Sequence, residues 1–201
     1  MKLGRFGNLI VCFGLTLIML GVSLDAAHAQ TKIVQQLHPG TQRITKSGSY
    51  FLGTNINSTL TVGALIMVQA NNVTLNLNGF TIKGPGTAGT GSGGIVVGPG
   101  FTGITIVNGT ITGIAGTAIS LNGSSTVSGM QIINNSGGGI ACASSACEVT
   151  NSVITGNVGT GLSFSDTTSG YGLDVISGNG ATVVNGTSLG NNVCNGSATC
   201  P

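Results

Sequence analysis

Three stretches of this chain carry one pattern: Ile106-Val107-Asn108-Gly109-Thr110-Ile111, Val127-Ser128-Gly129-Met130-Gln131-Ile132 and Val149-Thr150-Asn151-Ser152-Val153-Ile154. Each sets two aliphatic residues five apart around Asn108, Gly129 or Asn151, the two residue types that best tolerate a left-handed backbone. The starts lie 21 and 22 residues apart. At such a period each unit of a solenoid buries its apolar face only against its neighbours. Leu77 to Ile82 around Gly79 reads as an earlier copy.

Outward from these brackets, runs such as Val73 to Leu77, Gly94 to Val97 and Ala118 to Leu121 alternate or are wholly apolar, and they are rich in β-branched residues. None is long enough for a helix. Gly94-Ile95, Ala118-Ile119, Gly139-Ile140 and Gly161-Leu162 open successive units alike, so Ile95, Ile119, Ile140 and Leu162 are expected in one internal column. Asn134-Asn135, Asn157 and Asn179 recur after the third strand and predict an Asn ladder at a corner. The fold class predicted is all-β, a right-handed parallel β-helix of about five to six coils, the hand following from the crossover rule. The register of the fifth coil stays open, because Val175 with Ser177 and Val184 with Gly186 both fit the bracket, and an insertion at 165–172 would explain this.

The division expected is a signal peptide over 1–29, an N-terminal cap with the first strands over 30–56, the β-helix over 57–185, and a C-terminal cap over 186–201. Lys2 and Arg5, an apolar run from Leu9 to Leu24 and Ala27-His28-Ala29 have the order of a secretory signal cleaved after Ala29. The protein is therefore read as exported, periplasmic or extracellular, with no stable membrane insertion after cleavage. In an exported chain, Cys142 with Cys147 and Cys194 with Cys200 are expected as two local disulfides, a four-thiol zinc site being the rival.

Beyond residue 29, the charged side chains are Lys32, Arg43, Lys46 and Lys83 against Glu148, Asp166 and Asp174. There is no basic stripe for a nucleic acid. Glu148 and Asp174 each precede an apolar strand residue. With Val175 as the fifth start, both would face outward on neighbouring coils and hold calcium or act as acid and nucleophile. Asp166, beside Ser165 and Thr167, reads as a turn residue bonding its own backbone. His38 stands in a turn with Pro39 and Gly40, while Met67 and Met130 read as core. Phe164 and Tyr171 flank the insertion and are the candidates for a shallow glycan platform.

Ile44 to Tyr50, Val73 to Phe80 and Gly186 to Cys194 resemble a group of exported bacterial β-helix proteins, within the superfamily that includes pectate lyases, polygalacturonases and the NosD-like copper-site maturation proteins. The resemblance implies the pectin-lyase-like fold over nearly all of the exported chain. Pectate lyases use a basic residue and calcium-holding acids, and polygalacturonases use closely set aspartates. Here Arg43 lies ahead of the repeats and no two aspartates adjoin. The expectation is a non-catalytic module, structural or binding a surface polysaccharide. The alternatives are a small polysaccharide lyase or glycoside hydrolase using Glu148, Asp174 and Asp166, and an accessory protein in periplasmic metal-site maturation.

Overall fold

A computed structural model describes residues 31–33, 41–87, 92–143 and 146–200. The expected signal peptide and, from the front cap, residue 30 and residues 34–40, His38 among them, lie outside the described residues. Every described strand pairing is parallel. A short strand, β1 (Thr31–Ile33), lies against the first coil. Coil one is β2 (Gln42–Ile44), β3 (Gly48–Leu52) and β4 (Ile56–Asn57); coil two is β5 (Gly63–Val68), β6 (Val73–Asn76) and β7 (Thr81–Lys83). Coil three is β8 (Ser92–Val97) and β9 (Ile104–Thr112); coil four is β10 (Ile119–Leu121) and β11 (Ser125–Ile133). Coil five is β12 (Ile140–Cys142), β13 (Cys147–Thr150) and β14 (Val153–Thr155). Coil six is β15 (Thr160–Phe164), β16 (Gly170–Gly172) and β17 (Val175–Ser177); coil seven is β18 (Ala181–Val184), β19 (Thr187–Gly190) and β20 (Val193–Cys194). The first strand of each coil joins a 7-stranded sheet, and the others join a 13-stranded sheet.

The chain is thus a parallel β-solenoid of seven coils rather than five to six, because the segments 42–57 and 181–194 wind in register with the rest. The internal column Ile95, Ile119, Ile140 and Leu162 is present, extended by Ile66 below and Val183 above. A second column runs Ile56, Ile82, Ile111, Ile132, Ile154, Ile176 and Cys194, all of them buried. A small residue precedes Ile95, Ile119, Ile140 and Leu162 for a steric reason. A Cβ at Gly139 would collide with the Gly161 carbonyl oxygen of the next coil and sit 2.8 Å from Ile154 Cγ2.

The bends fall where the brackets place them. Asn108, Gly129 and Asn151 have φ of 59°, 65° and 52°. In coils three and four the backbone stays paired across this kink, so two strands merge into the nine-residue β9 and β11. Coil two departs from the pattern: Leu75, not Leu77, partners Ile106, and the two extra residues form a tighter turn with both Asn78 and Gly79 at positive φ.

Coil six resolves the ambiguous register. Val149 partners Tyr171 and Val153 partners Val175, so the fifth bracket is Tyr171 to Ile176 around Leu173, whose φ is 59°. Neither Val175 nor Val184 opens it. Tyr171 fills the aliphatic position with its ring stacked on Phe164 in the core, centroids 6.0 Å apart. In coil seven the register shifts after Tyr171: Tyr171 pairs with Ser188 and Gly172 with Gly190, and Leu189 bulges outward.

Buried polar groups form two ladders. The Asn135, Asn157 and Asn179 Oδ1 atoms accept the backbone N–H of Ile114, Asn135 and Asn157 at 2.9, 3.1 and 2.9 Å. Their amides donate to the carbonyls of Ile111, Ile132 and Ile154. Each side chain thereby satisfies one donor and one acceptor that the corner leaves over. Asn134 stands beside this ladder at a positive-φ bend.

Candidate functional site

On the longer sheet, alternate residues point away from the core, and register places Ser49, Thr74, Thr105, Thr126, Glu148, Gly170 and Thr187 in one outward column. Thr74 shows the cause: its neighbours Val73 and Leu75 are fully buried, so it must face solvent. Successive members lie about 4.8 Å apart, the spacing of paired strands. At coil six the column holds Gly170, which has no side chain, and a shallow hollow of about 390 Å³ opens there. Glu148 and Cys147 line one side, the 167–169 loop another, and Thr187 with Leu189 the far rim.

The loop wall is tied in place by Asp166. Its Oδ1 accepts the Thr168 amide and hydroxyl at 2.9 and 2.8 Å, and the Ser169 amide at 3.2 Å. These bonds, the Thr168 hydroxyl first, hold the Asp166 carboxyl below the usual carboxylate range. Thr187 closes the loop from the next coil, its hydroxyl donating to the Thr167 carbonyl at 2.7 Å and its amide to the Ser169 carbonyl at 2.8 Å. Asp166 is thus the local turn organiser that its neighbours imply.

Glu148 and Asp174 do not share a column. Glu148 is exposed and in register with Gly170, whereas Asp174 stands above Ser152 and is 1% exposed. The expected acid pair fails because Val175 belongs to the third strand of its coil, which turns the preceding residue into the corner. There Asp174 is a rung of the second ladder: Met130 N–H donates to Ser152 Oγ, Ser152 N–H to Asp174 Oδ1, and Asp174 N–H to Asn192 Oδ1. Its Oδ2 is buried without a hydrogen-bond partner. Burial pushes the carboxyl up to about 7, offset in part by the amides of Ser152 and Gly172.

Phe164 and Tyr171 are also inside, 2% and 0% exposed, and offer no ring face to a ligand. They are core because β15 and β16 turn these positions inward. Of the two expected disulfides, Cys194–Cys200 is formed, with Cα atoms 5.2 Å apart, a linkage suited to an oxidising compartment. The other is not: Cys142 and Cys147 are buried thiols. Each is a core residue of its own strand, paired with neighbours above and below, and packs as a small hydrophobe. Their side chains hydrogen-bond to each other. Cys142 keeps the proton, its acidity suppressed by that bond and by burial, while the same bond lowers Cys147.

The hydroxyls of the long strand faces are visible in the sequence as recurring Thr and Ser, whereas the exposure of Leu189 is not. Thr105, Thr126 and Glu148 recur at the repeat period, but an outward position carries no hydrophobic mark. The bulge that exposes Leu189 depends on a register that no local pattern encodes. Among the described residues no three His, Cys, Asp or Glu side chains gather as a metal site, and no helix is long and apolar enough to cross a membrane. Comparison with known proteins finds no protein-family model, no curated protein and no solved structure that matches the chain.

Proposed function

We propose that this is an exported, non-catalytic β-solenoid module that binds polysaccharide along the outward face of its longer sheet. The observation that carries the reading is the column Ser49, Thr74, Thr105, Thr126 and Glu148, which sets a hydrogen-bonding group on each of five successive coils. An extended β-linked glycan laid along the solenoid axis advances by one sugar over nearly the strand spacing, so each sugar meets an equivalent hydroxyl or carboxylate. Single contacts of this kind are weak, and affinity accumulates with chain length. Export is supported by the charged, apolar and small-residue order of the first 29 residues and by the Cys194–Cys200 disulfide.

The rival reading, a lyase or hydrolase, needs two carboxylates facing one substrate. Glu148 is exposed, Asp174 is enclosed in its ladder, and Asp166 is engaged by its own loop. Affinity electrophoresis against neutral and uronic-acid polysaccharides, with a reducing-end assay on the same panel, tests the proposal. Retardation without new reducing ends or unsaturated products is expected, and Thr105→Val with Thr126→Val should abolish it. Turnover lost in Glu148→Gln would overturn the non-catalytic reading.

A further inference from the structure

We propose that the hollow over Gly170 is a selectivity subsite for one neutral pyranose residue, with Glu148 as its principal acceptor. The inference rests on the polysaccharide reading above and adds to it the class of sugar and the place where it is chosen.

Three features of the hollow point to a hydroxyl-rich, uncharged ligand. First, its side-chain hydroxyls have their protons turned away from a ligand. The Thr168 hydroxyl donates to Asp166, the Thr187 hydroxyl donates to the Thr167 carbonyl, and the Ser169 hydroxyl faces Asp166 while accepting the Cys147 amide at 3.1 Å. With those protons committed to the wall, the Thr168 and Thr187 oxygens present lone pairs, as does the Glu148 carboxylate. A ligand that brings several donors satisfies them, and a pair of adjacent sugar hydroxyls matches the two oxygens of a carboxylate.

Second, the charge is of one sign. Glu148 lines the hollow, Asp166 stands behind its loop wall, and among the described residues no Lys or Arg lines it. A uronate, sulfate or phosphate would meet repulsion there, which gives selectivity by exclusion.

Third, the rim carries a placed apolar group. The register shift between Tyr171 and Gly172 leaves Leu189 without a partner position, 57% exposed, with its side chain reaching back over Gly170. A Cβ at Gly170 would lie 3.0 Å from Leu189 Cδ1. Bulges re-aim side chains beside sites, and here the bulge sets an aliphatic face opposite a carboxylate, the pairing that the C–H face and hydroxyl edge of a pyranose require. The wall is preorganised, since Asp166 and Thr187 already hold the loop.

Titration calorimetry with cello-oligosaccharides of increasing length, with oligogalacturonates and with calcium chloride alone tests this. Glu148→Gln should weaken the neutral oligosaccharides about tenfold, the loss of a charged hydrogen bond. Gly170→Val, whose Cβ would lie within 3.1 Å of Leu189 Cγ, Cδ1 and Cδ2 and so displaces that side chain while filling the hollow, should weaken them at least as much. Circular dichroism melts check that both variants are folded. Oligogalacturonates should bind less well than their neutral counterparts. Neutral glycans that bind and depend on Thr105 and Thr126, yet ignore Gly170→Val and Glu148→Gln, would sink the subsite and leave the polysaccharide reading standing. Equal or better binding of oligogalacturonates, or tight binding of calcium lost in Glu148→Gln, would also overturn it. Failure of every glycan would overturn both.

Discussion

The backbone amide of Ser152 donates to Asp174 Oδ1 across one coil spacing at 2.7 Å, in a corner column where the next rung is Asn192. Asn192 does with an amide what Asp174 cannot: its Nδ2 donates to the Tyr171 carbonyl at 3.2 Å and to Ser188 Oγ at 3.1 Å. Asp174 has a second acceptor in that place, buried and without a partner. An ionised carboxylate there costs free energy unless it takes up a proton.

The proton linkage has a definite sign. The Asp174 carboxyl is raised from an unfolded value of 3.8 to about 7, so between these values the native state holds a proton that the unfolded chain has released. Stability should therefore fall as pH rises from about 4 to about 7 and level off above. Asp174→Asn restores a donor and should abolish this slope, stabilising the protein by about 2–4 kcal/mol at pH ~8 with little change at pH ~3. Urea midpoints across this range provide the check. A variant that keeps the wild-type slope would refute the assignment.

The Asn ladder should be the most sensitive polar feature of the core. Replacing Asn157 with Leu leaves the Asn135 backbone amide without its acceptor inside the corner and takes one hydrogen bond from the Ile132 carbonyl. The expected cost is about 2–4 kcal/mol, the desolvation penalty of a buried donor together with a lost hydrogen bond. Equilibrium denaturation measures it. Asn78→Leu, at an exposed turn, keeps the core intact and should cost only about 1–2 kcal/mol through its positive φ.

Thiol chemistry separates the two cysteine pairs. Cys142 and Cys147 are enclosed, so alkylation of the native protein should be slow, and denaturation without reductant should expose two reactive groups while Cys194 and Cys200 stay linked. Intact-mass spectrometry reads this directly. Cys194→Ser with Cys200→Ser should lower stability by about 2 kcal/mol, the chain-entropy effect of a short loop. No alkylation after unfolding would show that Cys142 and Cys147 are bonded.

Much of the fold was legible in the residues. The bracket of two aliphatics around Asn or Gly marked the left-handed bends at Asn108, Gly129 and Asn151, and the small-then-aliphatic pairs marked the column from Ile95 to Leu162. The ladder through Asn135, Asn157 and Asn179 was visible in its spacing alone. Coil six was not, because Tyr171 takes an aliphatic position and Leu173 a glycine-like bend. The candidate site suffered from the same gap, since the positions of Glu148 and Asp174 depend on that coil's register.

The amino-acid order determined the period, the strand and bend positions, the inward aliphatics and one polar ladder, since these follow from side-chain chemistry repeated at fixed spacing. The tertiary structure alone decided which carboxylate faces water, which aromatic rings are buried, whether Cys142 and Cys147 are joined, and where Leu189 points. In a strand, a slip of one residue exchanges inside for outside, so these outcomes depend on register. At the far end of the solenoid, Phe164 stacks on Tyr171 across the interior of coil six, a contact between two strands that no local pattern records.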